Sequence, residues 1–234
     1  MSGLIHCIGA VLAVAGLVLL ICESINPVKP WHIVSFSVFG TGLILLYTAS
    51  TLYHWLPLSE NGVLNLRRLD HIMIFILIAA TYTPVCLIPL RGPWGWSLFG
   101  SAWTLAIMGI FLKLFWVQAP RWFSTTIYII MGWLAIAGVW PLIKALNMEG
   151  FIWVLIGGLF YTVGAVIYAT KLPNPWPNCF GFHEIFHIFV MVGSISHFWV
   201  MYEYVTKFSW CILDSSAGIQ PVCYYTLYEK EIDR

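Results

Sequence analysis

The chain has 234 residues, of which 60% are hydrophobic and 9% are charged. This balance excludes an ordinary soluble domain, in which about a quarter of the residues carry a charge. The formal net charge of +1 and the pI near 7.7 offer no electrostatic attraction to nucleic acid, so we exclude that class of partner.

Seven stretches are long and apolar enough to cross a bilayer, which takes about 20 residues. In chain order they cover residues 4–22, 34–55, 72–90, 96–116, 125–146, 151–170 and 183–205. The first stretch lacks a basic n-region and a small-residue cleavage site, which favours a retained helix over a cleaved signal peptide. The sequence therefore predicts an all-α polytopic membrane protein, a seven-transmembrane helix bundle.

We expect one transmembrane domain, residues 1–206, followed by a loosely ordered C-terminal tail, residues 207–234. Cys211 and Cys223 lie in this tail and would pair if it faces an oxidising compartment. If the N-terminus is cytoplasmic, the inner loops carry slightly more Lys and Arg than the outer loops. The positive-inside rule therefore favours a cytoplasmic N-terminus by a small margin.

The run His183-Glu184-Ile185-Phe186-His187 forms an HExxH pattern at the start of the seventh stretch. Because an α-helix turns about 100° per residue, histidines four apart share one face and can bind one zinc ion. Ionisable groups are costly inside a membrane, so their presence there indicates function. Glu184 is rotated about 100° from His183, and we expect it to face a neighbouring helix or a loop rather than the metal.

Three polar positions far apart in the sequence fall on one side of the membrane. His54 ends the second stretch, Asp70 stands at the start of the third, and His183 starts the seventh. The topology thus predicts His54, His183 and His187 as three zinc ligands, the number that leaves a catalytic zinc its fourth position for water. Asp70 would hydrogen-bond that water or a ligand histidine, and Ser50 lies one turn deeper than His54, where it would contact water or substrate. Asp70 and Ser50 are therefore the predicted catalytic residues.

The remaining histidines have plainer interpretations. His6 and His32 are interpreted as polar anchors near the membrane interface, and the role of His71 is left open. His197 lies about 15 Å deeper than the HExxH motif, so we expect it to line the bundle interior without binding the same metal. The alternative interpretation of Asp70 is a charge that the macrodipole favours at a helix N-terminus.

Three motifs, in this order, resemble the haemolysin III family: Ser50-x-x-x-His54, Arg68-Leu69-Asp70-His71, and the HExxH motif followed by Gly193 and His197. That family belongs with the progestin and adipoQ receptors, which include the adiponectin receptors. The similarity covers residues 4–205, and the three motifs together are much more specific than HExxH by itself.

The resemblance implies a cytoplasmic N-terminus and a zinc ion near the cytoplasmic end, held by His54, His183 and His187, with Asp70 contacting it through water. Adiponectin receptors are credited with hydrolysing ceramide amides, and the wider superfamily includes alkaline ceramidases. Because the chain lacks the long N-terminal domain of the adiponectin receptors, we expect a compact prokaryotic member in a bacterial plasma membrane.

The leading hypothesis is a zinc-dependent integral-membrane hydrolase that cleaves a lipid amide or ester bond, like a ceramidase, with metal-activated water as the nucleophile. The alternative is a non-enzymatic receptor, lipid sensor or haemolysin with a structural zinc, which a fourth protein ligand such as His71 would favour. An intramembrane metalloprotease ranks lower, because the acidic residues after the motif, such as Asp214, lie in the tail. The expected partners are the membrane and a lipid substrate or ligand, and the oligomeric state is left open.

Overall fold

The computed structural model describes residues 2–176 and 179–208, and within these ranges the chain forms helices without any strand. The helices are α1 (Ser2–Ile25), α2 (Pro30–Trp55), α3 (Glu60–Leu87), α4 (Pro93–Phe115), α5 (Arg121–Gly132), α6 (Val139–Thr170) and α7 (Phe182–Val200). The predicted all-α membrane fold is confirmed. Most of the predicted tail, including Cys211 and Cys223, lies outside the described residues, and its loose order stays a prediction.

A 3-10 turn, Trp133–Gly138, joins α5 to α6. As a result, six continuous helical stretches in the described ranges are long and apolar enough to cross a membrane, and one of them, Arg121–Thr170, has 50 residues. A straight helix of that length would measure about 75 Å, against about 30 Å for the hydrocarbon core. The long stretch is therefore much longer than one straight crossing requires.

The break lies at Asn147, whose φ of 57° and ψ of 178° are not helical. The indole N–H of Trp133 donates to Thr162 Oγ1 at 3.0 Å, although a straight helix would separate these residues by about 43 Å. The chain therefore reverses at Asn147 and crosses twice, which gives seven passes in the described part. The Oδ1 atom of Asn147 accepts the N–H of Gly150 at 3.0 Å and so caps the returning half.

Helix α3 begins at Glu60, whereas the hydropathy pattern placed the third apolar stretch at residues 72–90. Hydropathy marks the part of a helix that lies in hydrocarbon, and the polar residues before it form helix as well. Asp70 consequently lies about 15 Å from the helix N-terminus. Because the macrodipole acts within about the first turn, the interpretation of Asp70 as a helix N-terminal charge is wrong.

Consecutive helices from α1 to α4 pack side by side, α6 packs on α7, and α7 returns to α1. Helix α1 buries one stripe of residues spaced by three and four, and its opposite face is exposed for lipid. A Cβ atom on Gly9 of that stripe would lie 3.0 Å from the Tyr47 ring, so the small residue permits close approach to α2. The stripe contains His6, Gly9, Ala13, Gly16 and Leu20.

A π-helical turn, Met201–Val205, extends α7. Carbonyl groups at its end accept hydrogen bonds from the α1–α2 connection and from the first turn of α2. The Lys29 ammonium donates to the Thr206 carbonyl at 2.6 Å, and a ring nitrogen of His32 lies 3.0 Å from the Val205 carbonyl oxygen. Partial burial lowers the pKa of Lys29. His32 is buried, so its interpretation as an interfacial anchor is wrong. Its ring instead forms a hydrogen bond with a carbonyl group at a helix end.

Candidate metal centre

The N-terminus of α7 is held by Glu184, the acidic residue of the HExxH motif. One carboxylate oxygen accepts the N–H of Gly181 at 2.9 Å, and the other accepts the hydroxyl of Ser2 at 2.5 Å. This side chain caps its own helix and ties it to α1. As its rotation on the helix predicted, Glu184 faces the cap and a neighbouring helix.

Three histidines from two helices meet beside this cap. His54 lies in the last turn of α2, which ends two residues before Pro57, and His183 and His187 lie in the first turns of α7. The Nε2 atoms of His54 and His183 are 3.1 Å apart, and the rings of His183 and His187 have centroids 4.4 Å apart. Each ring offers one nitrogen, and all three nitrogens lie within 4.8 Å of one another.

These donors fit a zinc ion. On a tetrahedral zinc with bonds of about 2.0–2.1 Å, two nitrogen ligands are about 3.3 Å apart, close to the 3.1 Å between His54 and His183. The Nδ1 atom of His187 lies 3.3 Å from the Ser2 carbonyl oxygen, and a proton on Nδ1 leaves Nε2 free to bind a metal. Among the residues that the structure describes, no fourth His, Cys, Asp or Glu joins this group. Three protein ligands are typical of catalytic rather than structural zinc.

The two predicted catalytic residues lie next to each other on the wall of the cavity that the histidines also line. Ser50 is buried, and its hydroxyl lies beside the Asp70 carboxylate without full hydrogen-bond geometry. Neither residue belongs to the group of ligand atoms. Their position suits contacts with a molecule in the cavity rather than direct coordination.

His71 and His197 are both separate from the metal group. The Nε2 atom of His71 lies 3.2 Å from the Tyr168 hydroxyl, and its carbonyl accepts the Tyr128 hydroxyl at 3.2 Å. His71 thus joins α3 to α5 and α6. His197 lines the same cavity further inside, where its ring stacks on Tyr161 at 5.4 Å between centroids. Both placements argue against a fourth histidine ligand.

His6, like His32, is a residue whose interpretation from the sequence is wrong. Its ring is 3% exposed and stacks on the His187 ring, with centroids 3.6 Å apart and planes 12° apart. It is therefore part of the site and not an interfacial anchor. A signal was present in the sequence, because His6 continues the small-residue spacing of Gly9, Ala13 and Gly16 into the buried face.

A cavity of about 530 Å³ extends from the histidines into the bundle. Along α3 its wall runs from Arg67 to Val85, which is about 27 Å at 1.5 Å per residue. The wall away from the histidines is mainly apolar, with side chains such as Ile74, Leu77, Ile78, Leu142 and Val154.

Polar groups concentrate at the histidine end of this cavity. Several of its lining residues carry buried polar atoms that have no hydrogen-bond partner within the described ranges. Buried polar groups are nearly always paired, so these atoms are available to water or to the polar part of a molecule in the cavity. A long apolar cavity with such an end suits a lipid, with its chain inside and its polar part at the histidines. The residues with unpartnered atoms are His6, Ser50, His71, Arg121 and Thr125.

Comparison with known proteins places the chain in a family. The model of the haemolysin-III-related family matches residues 1–198. The hemolysin-3 of Bacillus cereus is 42% identical over 205 residues, which are 87% of this chain and 90% of the relative. The hemolysin-3 homolog of Bacillus subtilis (strain 168) is 38% identical over 206 residues, 88% of this chain and 93% of the relative.

A plant relative, heptahelical transmembrane protein 5 of Arabidopsis thaliana, is 30% identical over 191 residues, which are 74% of this chain and 50% of that protein. These matches confirm the resemblance to the haemolysin III family and to the progestin and adipoQ receptor superfamily. The chain belongs to the haemolysin-III-related family of multi-pass integral membrane proteins.

Proposed function

We propose that the protein is a zinc-dependent membrane hydrolase that cleaves an amide or ester bond of a lipid. One observation carries the proposal: three imidazole nitrogens within 4.8 Å of one another lie at the polar end of a long apolar cavity. His54, His183 and His187 would hold the metal. A zinc ion bound there would polarise the lipid carbonyl and activate a water molecule.

The cavity wall would position the substrate. Side chains such as Ile74, Leu77 and Val154 bind an acyl chain along the bundle axis, which brings its carbonyl to the histidine end. An acyl chain bound on this apolar wall would displace water from the cavity and so strengthen the electrostatic interactions at the histidine end. Arg67 and Arg121 line this end and would bind the carboxylate of the released fatty acid.

Asp70 would transfer the proton, and Ser50 would orient the substrate. The Asp70 carboxylate accepts a proton from the attacking water as its oxygen bonds to the carbonyl carbon. It then gives that proton to the leaving nitrogen or oxygen as the bond to the carbonyl carbon breaks, which yields a carboxylic acid and an amine or alcohol. The unpartnered Ser50 hydroxyl, beside Asp70, is placed to donate to the substrate.

The test is fatty acid release from a panel of ceramides, acyl esters and phospholipids, measured by mass spectrometry on purified protein. We expect release by the wild type, loss after chelation and recovery with added zinc. The Glu184→Gln variant should keep its zinc and most of its turnover, because the glutamine amide oxygen can still accept the Gly181 N–H and its amide nitrogen can donate to the Ser2 hydroxyl oxygen.

Two results would contradict the proposal. If Glu184→Gln lost about 10²–10⁴-fold in rate, Glu184 would be a general base, as in an HExxH metalloprotease. If the zinc-loaded wild type bound lipids but released no fatty acid from any of them, the cavity would belong to a lipid receptor.

We also propose that the protein lies in a bacterial plasma membrane with its N-terminus and metal centre on the cytoplasmic side. Two Bacillus relatives support the location. The basic residues Arg67 and Arg121 lie at the histidine end of the cavity, as the positive-inside rule favours for a cytoplasmic end.

Cysteine labelling tests this orientation. Cys179 is exposed in the α6–α7 connection, at the same end as the metal centre. In a variant that keeps Cys179 as its single cysteine, a membrane-impermeant maleimide should react only after the cells are permeabilised. The matched control places the single cysteine at Val28→Cys, an exposed position in the α1–α2 connection at the opposite end, which should react in intact cells. Labelling of Cys179 in intact cells would reverse the orientation.

A further inference from the structure

His6 is buried beside the candidate metal centre on a helix that supplies none of the three candidate ligands. The buried stripe of α1 turns it into the bundle, where it stacks on His187 and meets the edge of Tyr47, with centroids 5.1 Å apart. Its ring also lines the cavity. The position of the His6 ring is therefore set by packing against α7 on one side and α2 on the other.

The nitrogens of His6 point to a binding role. Both Nδ1 and Nε2 are buried, and neither has a hydrogen-bond partner among residues 2–176 and 179–208. A phenylalanine would fill the same space and stack equally well without burying unpaired polar atoms, which costs free energy. An imidazole at this position is explained if one of its nitrogens forms a hydrogen bond with a molecule in the cavity.

The stacking geometry separates His6 from the metal ligands. An imidazole binds a metal in the plane of its own ring, so a metal held by His187 would lie in the plane of the His187 ring. The His6 ring lies in a nearly parallel plane, and its nitrogens do not belong to the group within 4.8 Å. His6 is thus poorly placed to bind that metal through a ring nitrogen. A ring N–H of His6 is better placed to donate a hydrogen bond to an atom bound beside the metal.

We propose that His6 is a ligand-binding residue of this site: one ring N–H donates a hydrogen bond to the carbonyl or carboxylate oxygen of a lipid bound at the metal. This inference rests on the metal centre of the proposed function. The inference extends the binding site to α1. It also says that the ligand beside the three histidines carries an oxygen acceptor, either a neutral carbonyl or an anionic carboxylate.

Cobalt-substituted protein in detergent provides a readout that does not depend on turnover. Acetohydroxamate, an oxygen-donor ligand, is titrated into the cobalt protein and its affinity is read from the visible absorption bands of the metal. The His6→Phe variant keeps a flat ring on His187 and removes both nitrogens. We expect it to retain one cobalt per chain and to bind acetohydroxamate about tenfold or more weakly, the loss of one hydrogen bond to a charged group.

The matched control is His197→Phe, which alters another buried, ring-stacked histidine of the same cavity away from the metal centre and should leave the affinity unchanged. Equal affinity in His6→Phe and wild type would overturn the inference, as would loss of cobalt from a folded His6→Phe protein, because His6 would then be a metal ligand. If His6→Phe does not fold, His6→Leu carries the same test. A wild type that binds no cobalt would instead overturn the metal centre on which the proposed function depends.

Discussion

Replacing His187 with alanine should remove the metal from the protein. The wild type, purified in detergent without chelator, is expected to contain about one zinc per chain, and the His187→Ala variant close to none. In the proposed site three imidazoles would share one ion, and His187 is one of them. Losing the hydrogen-bond partner of a metal ligand lowers metal affinity about 10–100-fold, and losing the ligand itself should lower it further. The measurement is elemental analysis by mass spectrometry beside a thermal unfolding curve for each protein.

The control for this variant is His197→Ala, on the same helix and lining the same cavity, which should keep its zinc. Retention of zinc by a folded His187→Ala protein would remove His187 from the ligand set. A well-folded wild type without zinc would remove the hydrolase mechanism and leave a histidine-lined lipid receptor as the better account of the cavity.

Replacing Asp70 with asparagine should stop turnover while the metal stays bound. Asparagine has nearly the same shape but cannot take up and return a proton, and loss of a general base or acid costs about 10²–10⁴-fold in rate. Because Asp70 is not in the ligand group, the zinc content of Asp70→Asn should equal that of the wild type. Fatty acid release and zinc content are measured on the same preparation.

The two measurements separate two roles for Asp70. Loss of zinc together with turnover would make Asp70 a fourth ligand and the site a closed, structural one. Turnover near the wild-type level would remove Asp70 from the reaction. A Ser50→Ala variant should show a smaller loss than Asp70→Asn, because it removes a donor to the substrate and leaves the proton carrier in place.

The HExxH motif illustrates how one sequence pattern can belong to different site geometries. In this protein its two histidines join His54 from another helix, while its glutamate binds Gly181 and Ser2 at the helix cap. The glutamate therefore holds α1 and α7 together at the place where the histidines must meet. Its substitution tests helix capping, and the Asp70 substitution tests the chemistry.

Much of the fold could be predicted from the sequence, because hydropathy and helical period are local properties of the chain. They determined the number of membrane passes, and the alternation of sides then determined that His54, Asp70, His183 and His187 approach one end of the bundle. The reversal at Asn147 also agrees with the polar break at residues 147–150. None of these inferences required knowledge of which helices touch.

The tertiary structure decided what depends on helix contacts. His6 and His32 looked alike in the sequence, near the ends of apolar stretches, yet one stacks on His187 and the other binds the Val205 carbonyl. Their roles are set by the faces on which α1 and α2 meet α7 and its extension. The depth of Asp70 inside α3 and the continuous cavity likewise depend on how far helices extend and how they pack, which no local pattern of residues encodes.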